Sequence, residues 1–141
     1  MVDLLPNKYS KAKLKAPMTI LKQQASLVGK KTNHKVVASV ERAAIPVRND
    51  DALRYHFLFS TPARPIYHYH HFSIEHDVDL YPVFFYLDED TQEDVESKIG
   101  KWYGILTAKS EEELELVLRE VLRADETQRI IKKIYAHSKP A

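Results

Sequence analysis

Five consecutive residues, Tyr67-His-Tyr-His-His71, hold three of the chain's seven histidines, and His76, Asp77 and Asp79 follow shortly after. In an extended strand alternate side chains share a face, so His68 and His70 lie together while Tyr67, Tyr69 and His71 lie opposite. A His-x-His pair can supply two ligands to zinc, iron or manganese, with His76 or Asp79 as a third across the next turn. The same imidazoles can also work without a metal. If the strand holding His56 pairs with this one, His56 faces His68 or His70. One imidazole then acts as base and the other as acid on an RNA phosphodiester, with Arg54 or Arg64 steadying the phosphate. Against both readings, His-x-His is short and common, and a strand rich in Tyr and His is an ordinary amphipathic packing surface. The expectation is therefore no metal and no cofactor. The metal set His68, His70 and His76 and the acid–base set His56, His68 and His70 stand as alternatives.

The acidic residues Glu75, Asp77, Asp79 and Asp88-Glu-Asp90 invite a calcium loop or a pair of glycosidase carboxylates. A calcium loop needs a glycine turn and a closing glutamate at fixed offsets, and neither is present. Nothing in the spacing sets the distance between two catalytic carboxylates. Cysteine is absent from the 141 residues, which removes disulfides, thiolate metal sites and cysteine nucleophiles together. The three glycines, Gly29, Gly100 and Gly104, are too few for a phosphate-cradling loop. No apolar run approaches the roughly 20 residues that span a bilayer. Met1-Val-Asp-Leu-Leu-Pro6 lacks the build of a signal peptide, so the expected location is the cytoplasm.

The formal net charge of +1 conceals a polarised chain. Residues 1–71 carry 12 Lys/Arg against 4 Asp/Glu, and residues 72–141 carry 9 against 16. A basic half can draw in nucleic acid, although charge runs are more often solvated faces. The densest basic stretch, Lys8, Lys11, Lys13 and Lys15, has only Tyr9 as an aromatic neighbour, which reads as an arm over residues 1–16.

One domain is expected over 17–141. Pro17 opens a helix whose apolar stripe is Met18, Leu21, Ala25 and Val28, and Gly29 is a natural stop. Alternation then predicts strands over 35–45, 52–60, 66–74 and 80–87, joined by short turns as an antiparallel meander. Pro82 places the fourth strand at an edge or a bulge. Thr91 predicts the cap of a short helix ending at Gly100, and 101–108 reads as a fifth strand. Ser110 with Glu113 forms a capping box ahead of the stripe Leu114, Val117, Leu118, Val121 and Leu122. Asp125 begins a last helix with Ile130, Ile131, Ile134 and Tyr135 on its apolar face. The fold class is α+β: an antiparallel sheet of about five strands, with the N-terminal helix and the C-terminal helices packed on one face.

Four segments resemble a family of small bacterial proteins without an assigned activity: 18–33 (MTILKQQASLVGKKTN), 72–83 (FSIEHDVDLYPV), 110–122 (SEEELELVLREVL) and 127–138 (TQRIIKKIYAHS). The resemblance implies a self-contained bacterial domain and no catalytic residue. The aromatic strands give the functional expectation instead. Ten Tyr and Phe residues crowd positions 55–86, and Leu58 and Phe72 with Tyr86 and Phe84 cannot all point into a one-sided core. A sheet face bearing Tyr67, Tyr69, Phe72 and Tyr86 therefore meets a partner, either a second protomer or another protein. The expected function is a non-enzymatic protein-binding or accessory module, of the kind found in immunity or defence systems. The alternative is a small His-dependent ribonuclease or nucleic-acid-binding protein.

Overall fold

Pro17 stands in the first turn of α1 (Pro17–Lys31), where a missing N–H leaves no bond unmade. The computed structural model describes residues 2–7 and 14–138; Lys8, Tyr9, Lys11 and Lys13 of the basic arm lie outside the described residues. α1 buries Ile20, Leu21, Ala25 and Gly29 along one stripe. It continues past Gly29 because the left-handed turn falls to Asn33 and His34 instead. Gly29 serves close approach: a Cβ there would meet His34 Nδ1 at 3.2 Å, and its carbonyl accepts from the His34 N–H at 2.8 Å.

Five strands follow the period-2 alternation: β1 (Val37–Arg42), β2 (Leu53–Thr61), β3 (Arg64–His76), β4 (Val83–Tyr86) and β5 (Leu106–Ala108). They form one sheet in chain order, every neighbour antiparallel. β4 is interior, not an edge. Its ladder begins after Pro82, which escapes the pairing that it cannot support. β5 is three residues long because Gly100 and Gly104 adopt positive φ and hold 100–105 as a loop.

The helices α2 (Glu89–Ile99), α3 (Glu111–Arg123) and α4 (Asp125–His137) complete the chain. Asp88, not Thr91, caps α2: its carboxylate accepts from the Thr91 N–H at 2.7 Å. Half of the Ser110–Glu113 box forms on α3: Ser110 Oγ accepts from the Glu113 N–H at 3.2 Å, while the Glu113 carboxylate accepts from the Lys109 N–H, one residue before the cap. The helices lie on one face of the sheet. Against it they bury Leu114, Leu118, Val121, Ile130 and Ile134 together with Phe57, Phe59, Phe72, Ile74 and Phe85. Phe57 stacks on Phe72 at 5.0 Å, and Phe72 on Phe85 at 6.3 Å. No helix among the described residues is long and apolar enough to cross a membrane.

A β-bulge decides which side chains reach that core. Phe57 pairs with Phe72, but Leu58 pairs with His70, so His71 is the extra residue. The extra residue reverses the alternation of β3. Tyr69 faces the helices before the bulge, and Phe72, Ile74 and His76 face them after it. Phe72, expected on the partner-binding face, is therefore a core residue, 1% exposed. Tyr69 also packs on the helix-covered side, and of the four aromatic residues expected at an interface only Tyr86 faces the other way.

His71 turns inward and ties the sheet to the C-terminal helices. The Thr127 hydroxyl donates to the Val121 carbonyl at 2.5 Å, so its oxygen accepts from His71 Nε2–H at 2.7 Å. That fixes the tautomer and leaves His71 Nδ1 a buried lone pair without a partner among the described residues. Burial, opposed by the more distant Asp88 and Glu126, lowers the His71 pKa to about 4. The unfolded chain takes up this proton below pH 6.5 and the folded chain does not, so stability declines as pH falls from 6.5 toward 4. The window is worth about 3.5 kcal/mol at roughly 1.4 kcal/mol per pKa unit. We predict that His71→Phe makes urea-unfolding free energies distinctly flatter between pH 7 and pH 5; an undiminished slope would place the sensitivity elsewhere.

Candidate functional site

The sheet face turned away from the helices gathers the polar chemistry. Across β1, β2, β3 and β4, one row reads Glu41, His56, Ser73 and Tyr86, and the rows beside it pair Leu58 with His70 and Arg54 with Glu75. His56 arrives there by simple alternation along β2. His70 and Ser73 are three apart, a spacing that would put them on opposite faces of a regular strand, and the bulge at His71 puts them on the same one.

His56 Nδ1 lies 2.6 Å and His70 Nε2 2.7 Å from Ser73 Oγ, and the two ring centroids are 4.2 Å apart. A hydroxyl has one proton, so Ser73 donates to one imidazole and accepts from the other. The three groups form a short proton path between the rings. Ser73 is 1% exposed, which makes its hydroxyl a bridge and not an accessible nucleophile. Burial lowers the His56 pKa, and the nearby His70 and Arg54 lower it further, against a smaller upward pull from Glu41.

One step along the strands stands a fully buried carboxylate. Glu75 accepts from the backbone N–H groups of Val47 at 2.7 Å and Arg48 at 3.0 Å, and from Arg54 at 2.6 Å. Burial pushes its pKa up, but the Arg48 and Val47 N–H groups and Arg54 outweigh that and hold it below the usual carboxylate value. These bonds fasten the 43–52 connection to the sheet. Arg54 in turn lies 4.6 Å over the Tyr86 ring, and Arg48, paired with Asp77 at 2.6 Å, lies 4.2 Å over Phe84. The Tyr86 hydroxyl is buried beside them without a partner among the described residues.

The other candidates do not join this cluster. His68 shares the face but lies two residues, roughly 7 Å, farther along β3, exposed to solvent. His76 is on the opposite face, 2% exposed, stacked on Tyr55 at 5.8 Å and bonded to the Asp77 carbonyl. The ligand set His68, His70 and His76 is thus split between two faces, and no trio of His, Asp or Glu is placed to hold a metal among the described residues. Arg64 begins β3 at the hairpin turn, and Tyr67 packs near His137, 5.5 Å between rings. Ser73 is the residue that pattern reading passes over as a site member, while Glu75 enters it only as a calcium or glycosidase carboxylate and not as the partner of Arg54. The one signal for Ser73 is a hydroxyl between Phe72 and Ile74.

Two outcomes follow. Glu75→Gln keeps the shape but strands the Arg54 charge, so chemical denaturation should show a loss of about 3 kcal/mol; a loss below 1 kcal/mol would mean that the pair is solvent-compensated. His70→Ala removes a like-charged neighbour and part of the burial of His56. NMR titration of His56 should then show its pKa rising toward 6.5, and an unmoved value would sink the coupling.

No protein-family model, no curated protein and no solved structure matches the chain.

Proposed function

We propose that the protein is a non-enzymatic binding module whose open sheet face receives a second copy of the same chain. The observation that carries this reading is the one-sided helix layer: it covers one face of the sheet and leaves Leu58, Phe84 and Tyr86 half-buried on the other. An isologous interface needs a self-complementary surface, with both partners presenting the same patch. This face carries both acceptors and donors, the Glu41 carboxylate beside the imidazoles of His56, His68 and His70. Its two arginines, Arg48 and Arg54, are already engaged by Asp77 and Glu75, so it carries little surplus charge for a polyanion. Aromatic and arginine side chains with a polar surround are the composition of a protein contact. A role as an accessory or immunity factor is compatible with such a surface.

The second reading is metal-free RNA cleavage, favoured by the juxtaposition of His56 and His70. In-line transfer needs acid and base on opposite sides of the phosphorus, and rings 4.2 Å apart leave no room for a phosphate between them. The lysines of α1 lie on the helix side of the sheet, away from these histidines. The geometry therefore supports binding better.

Leu58→Asp places a charge at the centre of the open face without touching the core. Light scattering on a sizing column should give the mass of two chains for the wild type and of one for the variant, with unchanged circular dichroism. A wild type that stays single at the highest soluble concentration defeats the dimer. RNA cleavage that is lost in both His56→Ala and His70→Ala would install the second reading in its place.

A further inference from the structure

On the helix side of the sheet, α1 and α3 are joined near their starts and leave a trough farther along. The Lys15 N–H donates to Glu111 and the Lys15 carbonyl accepts from Tyr81 at 3.0 Å. Beyond this clasp runs a groove of about 730 Å³ between α1 on one side and α3 with the start of α4 on the other. Its apolar lining is Ile20, Leu27, Val28, Leu118, Leu122 and Ile131. Leu27 lines this groove while 38% exposed.

The groove has a sign. Lys15, Lys31, Arg119 and Arg123 line it against Glu115 alone. Lys31 and Arg123 stand in the last turns of their helices, where cations suit the macrodipole, yet neither has an ion pair among the described residues. Arg119 reaches only the neighbouring Glu120, at 3.2 Å on the surface. From Ile20 to Thr32 the α1 wall extends roughly 18 Å at 1.5 Å per residue, the length of about three helical turns.

We propose that this groove docks an amphipathic helix of a partner protein, apolar on one face and acidic along its edges, with the acidic edge at the Lys31–Arg123 end. An apolar trough between two helices, about three turns long and edged by cations, is the complement of such a helix. The chain's own N-terminal arm is a poor occupant, because its lysines would meet the cations of the rim. This surface is separate from the open sheet face, and neither depends on the other.

The test uses the full chain and two fluorescein-labelled helical peptides of about four turns, leucine on one face, with glutamate on the other face in one and lysine in its counterpart. Fluorescence anisotropy should show binding of the glutamate peptide and none of the lysine peptide. The double reversal Lys31→Glu with Arg123→Glu, both exposed, should weaken binding about tenfold or more without altering the mass of the protein. Leu27→Asp should do the same through the lining. Amide shift changes should map to α1 and α3. Equal binding of both peptides, no binding of either, indifference to the charge reversal, or shifts confined to the open sheet face would each overturn the proposal. The Leu58→Asp variant, if monomeric, should still bind the glutamate peptide, which keeps failure here distinct from failure of the dimer.

Discussion

A single extra residue in β3 governs what each side of this sheet presents. Without the bulge at His71, a strand that puts Phe72 and Ile74 in the core would also put His68 and His70 there, and Tyr69 would point to the open side. Two unpaired imidazoles under the helices would be costly to bury, and the aromatic core around Phe59 would lose Tyr69. With the bulge, β3 is polar-outward from His68 onward: His68, His70, Ser73 and Glu75 all lie on the open face. The inserted residue is put to use as well, since His71 reaches Thr127 and so couples the sheet to the α3–α4 junction.

Glu75 exerts the second organising influence, from the same face. A carboxylate with no contact to water must have its lone pairs filled, and three N–H donors fill them. Two of those donors belong to the backbone between β1 and β2, so an electrostatic requirement inside the sheet dictates where that connection runs. Arg54 then has a fixed position and lies over Tyr86. The His56–Ser73–His70 cluster stands next to this pair, and Arg54 helps keep His56 neutral.

Much of the architecture is legible in the residues: the five antiparallel strands, the Ser110 cap and the helix faces of α3 and α4 all follow periodicity and capping chemistry. The departures have local causes. Gly29 reads as a stop because glycine often ends helices, but here it admits His34 at close range. Pro82 reads as an edge marker, whereas the ladder merely starts one residue later. That His56 and His70 come from neighbouring antiparallel strands follows from alternation and one hairpin. The inclusion of Ser73 and the exclusion of His76 do not, because both depend on a bulge that no residue in Tyr69–Phe72 announces. No glycine or proline marks it; only the packing of Phe57 against Phe72 and of Phe59 near His71 requires it.

The sheet also keeps its strands in the order in which they occur along the chain. Each strand pairs with the next strand along the chain, with α2 intervening only between β4 and β5, so no segment has to thread between two that are already paired. Most pairing therefore closes short loops, which cost little entropy, and such topologies fold faster than those built on distant contacts. Beyond the α2 crossing from β4 to β5, the long-range step is α1, which comes first and must wait beside β1 until α3 arrives to form the other wall of its groove.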